Sequence, residues 1–384
     1  MASAGATETA VEVIESETTL EVGRFTPAQM EQIVAPALAN DKIRSIGAPS
    51  GATYFTREIA VVPDCAVLGH VGAVTRIGDG AVLYRRAARA PNWNLAKPKR
   101  LKSRHFGSGL VTSLLGTKQY YHFFEKLLPL LGYLDQHHSA DRPLTVLVPA
   151  LGPPFQWPIC KAIEAAYPGV EFVSLAVGER AEVDRYLWLY DLADNAEWLP
   201  VTARAAARLG AVLRASYGLP KPAGGELLFV SRGRTPLRRL MNEAELEAIA
   251  AHRGFRRFEA MATDHREQVR RFGNADVIVA VHGAGLANLL FARPGAVVIE
   301  MFPGNFIKST YLWLSSRLNL RHYPLIGSYG NYDQDFQVDP ALFSAKLDEA
   351  LASLVPPSRL QAPAQPVVGL PARDAPPGPA QTMP

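Results

Sequence analysis

The chain has 384 residues, enough for two domains, since single cores seldom grow beyond about 250–300 residues. Hydrophobic residues make up 48% and charged residues 20%, an ordinary globular balance that excludes a mostly disordered chain, and no run approaches the roughly 18 consecutive apolar residues of a membrane helix. Basic residues exceed acidic ones by only 40 to 36, and no recognition helix or base-stacking motif accompanies them, so a nucleic-acid partner is not expected.

Residues 1–40 place five glutamates ahead of the first basic residue, Arg24, the reverse of a secretory signal. They read as an acidic, partly disordered arm, with a short helical pattern at Pro27–Leu38. Residues 41–219 read as a first α/β domain. It opens on a small β-rich region, Ile59–Tyr84, whose short strands are broken by Gly69, Gly72, Gly78 and Gly80. A strand at Leu110–Leu115 follows, then an amphipathic helix from about Lys118 to His138 with Phe123, Leu127, Leu130, Leu131 and Leu134 at helical spacing. Pro129 should kink or split that helix. Leu144–Val148 and Val170–Leu175 read as strands, and Trp157–Tyr167 and Thr202–Tyr217 as helices. Cys65 and Cys160 have neither metal spacing nor a disulfide framework and read as reduced core residues.

Pro220, Pro222, Gly224 and Gly225 mark a linker, and residues 220–355 restart the alternation. Strands are expected at Glu226–Val230, Phe255–Phe258, Asp276–Val281 and Val297–Met301. Helices are expected at Glu243–His252, His265–Phe272, Leu286–Phe291, Thr310–Leu318 and Pro340–Leu354. This is a doubly wound pattern, which binds nucleotides at the carboxyl ends of its strands. Residues 356–384 carry nine prolines and read as a disordered tail.

Four segments could carry chemistry. In the first, a buried strand ends at His282-Gly283-Ala284-Gly285 and a helix starts at once, with Asn288 in its first turn. Small residues there let a ligand approach backbone N–H groups, which suits a diphosphate as well as a ligand-free tight turn. It is not the dinucleotide fingerprint, because Asn288 occupies the third glycine position. In the second, Arg232, Arg234, Arg238 and Arg239 follow a strand in the same sheet and could neutralise a leaving diphosphate, or form a solvated basic loop. Asn242 reads as the cap of the next helix. In the third, Glu300 ends a strand and could accept ribose hydroxyls or pair with an arginine. In the fourth, His122 and Glu125 share one face at the start of the long helix, as a general base pair or a structural pair. Asp333-Gln334-Asp335 has D-x-D spacing but lies in a polar loop, so no metal site is expected there.

Three blocks in this order resemble glycosyltransferase family 61, which includes bacterial capsular-polysaccharide biosynthesis proteins. They are QYYHFFEKLLPLL at 119–131, FVSRGRTPLRRLMNEAEL at 229–246, and the run from Gln268 through DVIVAVHGAGLANLLFARPGAVVIE to Glu300. Gln119 stands where the family often has Asn. The resemblance implies a GT-B-like α/β fold, two Rossmann-like doubly wound domains facing a cleft, with donor nucleotide in the second. It implies inverting transfer from a nucleotide-sugar, usually UDP-linked, to a glycan or lipid-linked glycan acceptor, with no cofactor and no essential metal. By position, Arg232, Arg238, His282, Gly283, Ala284, Gly285 and Asn288 would surround the donor, with Glu300 near the ribose. His122 and Glu125 would face the acceptor, either one being the base. A bacterial cytoplasmic enzyme, at most peripheral to the inner membrane face, is the expected setting. A second class stays open: a nucleotide-binding module without turnover, either a degenerate relative or a Rossmann-type oxidoreductase.

Overall fold

A computed structural model describes residues 12–21, 53–69, 74–78, 82–84, 101–107, 109–114, 119–150, 152–176, 178–193, 203–233, 235–308 and 310–354. The helical pattern at Pro27–Leu38, the tail 356–384, Gly72, Gly80, Lys118 and Arg234 lie outside these residues.

The first half is built on a mixed sheet. Its strands are β1 (Glu12–Glu21), β2 (Thr53–Leu68), β3 (Val74–Arg76), β4 (Val82–Tyr84), β5 (Lys102–Phe106), β6 (Leu110–Ser113), β7 (Leu144–Pro149), β8 (Val170–Leu175) and β9 (Glu179–Ala193). They run in the order β4-β3-β2-β9-β6-β7-β8, with β1 on β2 and β5 on β9. Only β5 to β9 contribute parallel pairs. The centre is a long antiparallel ribbon in which β2 pairs with β9 from Phe55↔Ala193 to Leu68↔Arg180. The first half is therefore not a doubly wound domain. A β-strand also occupies Glu12–Glu21, inside the acidic arm, where it pairs antiparallel with β2.

Among the described residues, three helices belong to this half: α1 (Tyr120–His137), α2 (Gln156–Ala166) and α3 (Ala203–Ser216). Pro129 does not split α1, which runs through it as one 18-residue helix. Proline there removes one i→i−4 bond. Full burial of Phe123, Phe124, Leu127, Leu128, Leu130 and Leu131 offsets that loss.

The second half follows a coil from Leu219 to Gly225. It holds β10 (Glu226–Ser231), α4 (Glu243–Ala251), β11 (Arg256–Glu259), α5 (His265–Asn274), β12 (Ala275–Val281), a 3₁₀ helix (Ala284–Phe291), β13 (Val297–Phe302), α6 (Thr310–Arg317), β14 (Arg321–Ile326) and α7 (Pro340–Ala352). The five strands are all parallel, ordered β11-β10-β12-β13-β14. The order reverses between β10 and β12, and the crevice at such a switch point is where open α/β sheets bind ligands. The turns after these two strands carry Arg232 and His282.

Alternate residues of β12 face opposite cores. Val277 and Val279 pack with Leu246 of α4 and Phe343 and Leu347 of α7. Ile278 and Ala280 join a larger core that also holds Phe124 and Leu127 of α1, Leu209 and Leu213 of α3, and Phe272 of α5. One apolar core thus spans both sheets. Phe124 of α1 meets Phe291 of the 3₁₀ helix edge-on, ring centroids 5.9 Å apart. Cys65 and Cys160 are buried thiols, each pushed up to about 12 by burial.

Candidate functional site

The turn after β12 is shaped by one missing side chain. A Cβ at Gly283 would land on Arg232 Nη1, so glycine there admits the guanidinium from the neighbouring strand end. Arg232 Nη1 donates to the His282 carbonyl at 2.6 Å, and its Nε donates to Thr235 Oγ1 at 3.2 Å. Gly285 plays no such part: a Cβ there would meet Ala260 Cβ at an ordinary 3.8 Å. Ala284 is exposed at the mouth of the turn. The segment that follows is 3₁₀ rather than α-helical. Its first amides have no acceptor inside the helix.

Arg238 reaches the same place from the loop after β10. Its guanidinium carbon lies 4.9 Å from the Phe306 ring centroid, and Lys308 Nζ lies 5.7 Å from that ring. The His282 ring sits 5.7 Å from Phe306 and stacks on Phe302 at 5.2 Å. Arg238 Nε is buried without a hydrogen-bond partner. Burial, then the Arg238 charge, pushes Arg232 down to about 10, and burial also lowers Arg238. Both remain charged at neutral pH. Burial, Arg238, Arg232, Lys308 and His322 together hold His282 well below the ordinary imidazole range. Three cations therefore converge on one turn.

Glu300 does not offset them from the ligand side. It is 0% exposed, with Oε1 2.6 Å from His282 Nδ1 and Oε2 3.0 Å from His322 Nε2. Ser315 Oγ lies 2.8 Å from His322 Nδ1 and closes the chain. Burial raises the Glu300 carboxyl well above its usual range and pushes His322 down to about 3. Fully enclosed, Glu300 presents its carboxylate to His282 and His322 rather than to the open face of the turn. Its oxygens meet ring nitrogens directly, and among the described residues no group of three or more such side chains is placed to hold a metal ion.

Asn288 is likewise used inside the protein. It is 0% exposed, donates from Nδ2 to Gln268 Oε1 and the Gly285 carbonyl, and accepts at Oδ1 from Tyr120 at 2.6 Å. Tyr120 spends its one proton on Asn288, so its oxygen accepts from His265 Nε2 at 3.0 Å. His265 Nδ1 then accepts from Tyr217 at 2.8 Å. Asn288 ties the His282–Gly285 turn to α1.

The His122–Glu125 pair forms as the spacing suggests, with Nδ1 2.7 Å from Oε2 and both side chains partly exposed. The Tyr121 ring contacts His122 at 5.1 Å and Tyr311 at 5.8 Å, and Tyr311 contacts His282 at 5.4 Å. Two ring contacts through Tyr311 thus join the α1 start to the arginine turn. Lys308, Tyr311, His322 and Phe306 were not singled out in the sequence. Only their position after β13, the next strand beyond the switch point, would have marked them.

One other expectation changes. Asn242 does not cap α4 through its side chain. It bonds the Val338 backbone instead, Nδ2 donating to the carbonyl at 2.9 Å and Oδ1 accepting from the amide at 3.2 Å. In the Asp333–Asp335 loop, Asp335 Oδ2 accepts from Arg239 Nε at 2.9 Å.

Residues 120–299 match the family model described as Glycosyltransferase 61. An 85-residue stretch is 39% identical to Protein O-linked-mannose beta-1,4-N-acetylglucosaminyltransferase 2 of Homo sapiens, covering 21% of this chain and 14% of that protein. A 78-residue stretch is 40% identical to Beta-1,2-xylosyltransferease XAX1 of Oryza sativa subsp. japonica, covering 20% of this chain and 13% of that protein. These matches span a small fraction of each relative's length. Both the His122–Glu125 pair and the Arg232–His282 turn lie within residues 120–299, the stretch that matches this family model.

Proposed function

We propose that this protein is an inverting, metal-independent glycosyltransferase that moves a sugar from a nucleotide-sugar, UDP-linked, to a hydroxyl of a glycan acceptor in surface-polysaccharide synthesis. The observation that carries this reading is the convergence of Arg232, Arg238 and Lys308 on the His282–Gly285 turn at the switch point of a parallel sheet. A diphosphate is the ligand such a site fits: small, multiply charged and rich in acceptor oxygens. The names of the relatives, a β-1,4-N-acetylglucosaminyltransferase and a β-1,2-xylosyltransferase, support glycosyl transfer with inversion.

In this reading the acceptor hydroxyl attacks the anomeric carbon from the face opposite the diphosphate. The carbon–oxygen bond to phosphate breaks, its electron pair stays on the departing diphosphate, and Arg232 and Arg238 meet the charge that develops. The hydroxyl proton goes to the His122–Glu125 pair. With Nδ1 held by Glu125, His122 takes the proton at Nε2 and Glu125 stabilises the imidazolium. The first half supplies the acceptor side and the second the donor side, a GT-B division of labour. At most peripheral association with the cytoplasmic membrane face fits this role, since among the described residues no helix is long and apolar enough to cross a membrane.

The test is a sugar-nucleotide hydrolysis screen combined with thermal shift. UDP at 100 times its Kd should stabilise the fold by about 2.7 kcal/mol, and NAD should not. Release of UDP from one sugar-nucleotide in the panel supports turnover. Stabilisation by UDP without hydrolysis or transfer would make the protein a binding module. Stabilisation by NAD instead would overturn the reading.

A further inference from the structure

The Arg238 backbone stands at φ +57°, in the left-handed region that favours glycine. An arginine held there is strained and persists only where its surroundings fix it. The fixing is visible. Arg238 N donates to the Asp333 carbonyl at 2.9 Å. The next residue, Arg239, is clamped by Asp335, whose Oδ1 accepts from the Arg239 amide at 2.8 Å and whose Oδ2 accepts from its Nε at 2.9 Å. Asp335 is buried, and the guanidinium holds its carboxyl down at about 2. Phe336 N and Met241 N then exchange backbone bonds with Arg239 and Phe336 carbonyls, closing the two loops on each other.

The far side of the same loop is also fixed. Asn305 Nδ2 donates to the Gly330 carbonyl at 2.9 Å, and Asn305 Oδ1 accepts from Gly330 N at 3.1 Å. That bond anchors the loop to the segment bearing Phe306, the ring on which the Arg238 guanidinium lies. At the end of this assembly stands the Arg238 Nε, buried and without a hydrogen-bond partner.

Resting on the diphosphate reading above, we infer that Asp335, through its clamp on Arg239, is a positioning residue for the donor site: it holds the left-handed backbone that delivers Arg238 to the diphosphate. The D-x-D spacing at Asp333–Asp335 thus serves anion binding by orienting a cation. Asp333 contributes its carbonyl and Asp335 its carboxylate.

The experiment is a double-variant cycle on UDP affinity, measured by calorimetry on the full chain with and without Mg²⁺. Arg238→Ala should weaken UDP at least tenfold. Asp335→Asn and Arg239→Gln should each weaken it at least fivefold, and Arg239→Gln alters an exposed guanidinium, so it keeps the test open if Asp335→Asn fails to fold. The discriminating readout is non-additivity: Asp335→Asn or Arg239→Gln placed on Arg238→Ala should cost little further affinity. Full additivity would overturn the inference, as would a loss seen only with Mg²⁺, which would make Asp335 a metal ligand. If the unaltered protein does not bind UDP, the diphosphate reading itself fails, and that outcome is separate from the cycle.

Discussion

At the scale of single residues, Gly283 and Arg232 make one device. Gly283 sits at φ 170°, extended backbone that any residue adopts, so its requirement is space alone. Gly283→Ala should therefore keep the fold while expelling the Arg232 guanidinium, and Arg232→Ala should remove a charge-assisted bond worth roughly 1.5–3 kcal/mol. UDP affinity is expected to fall about tenfold or more in each, and Gly285→Ala should leave it nearly unchanged; calorimetric titration of the three variants checks this. Equal affinities across the set would mean the guanidinium does not touch the ligand. The polar residues around this turn show where sequence reading reaches its limit. Arg232 and His282 were legible because each ends a strand beside the other, and strand ends in such sheets face the crevice. Glu300 and Asn288 sit just as close in sequence, yet both are wholly enclosed. Nothing local says whether a carboxylate or amide looks outward or is consumed by neighbours; His322 and Tyr120, which consume them, lie 22 residues downstream and 168 upstream.

At the scale of elements, α1 carries the His122–Glu125 pair on its first turn and much of the main core on the turns that follow. His122→Ala and Glu125→Gln should each lower the transfer rate by at least about 10²-fold while UDP affinity stays within twofold. Steady-state rates set against calorimetric affinity decide it, and near-normal turnover in both would move the base elsewhere. Activity is also expected to survive EDTA, because the arginine turn supplies the charge that a divalent ion would otherwise supply; restoration of a lost activity by Mn²⁺ or Mg²⁺ would contradict the mechanism. The elements of the second half were legible almost residue by residue. Strands buried on both faces read as continuous apolar runs, and helices separate them. In the first half, β6, β7, β8 and the three helices were legible in the same way, but β1, β5 and β9 were not. β9 carries Glu179, Arg180, Glu182, Asp184 and Arg185 at its start, which hides any strand pattern, and its long pairing with β2, more than a hundred residues earlier, makes it a strand. β14 was missed because Pro324 interrupts its pattern, yet that proline fits at the sheet edge.

At the scale of the whole molecule, the two halves meet through buried neutral groups as well as apolar ones. Burial pushes His265 down to about 4, and His322 to about 3, from an unfolded value of about 6.5. Between pH 6.5 and those values the unfolded chain binds protons that the folded one refuses. Full stability is thus present above about pH 6.5 and is lost as pH falls, by up to about 1.4 kcal/mol per pH unit for each histidine. Thermal midpoints should drop steeply from pH 7 to 4.5. In His265→Gln they should start lower and fall less steeply; an unchanged slope would show that His265 does not hold the halves together. The core shared by α1, α3, α5 and the 3₁₀ helix also bears on how such enzymes can be recombined. A chimera joined in the coil between Leu219 and Gly225 would inherit its His282–Gly285 turn from one parent and its His122–Glu125 helix start from another. It would have to match Phe124 to Phe291 and Tyr120 to both Asn288 and His265 before either parent's specificity could be expressed.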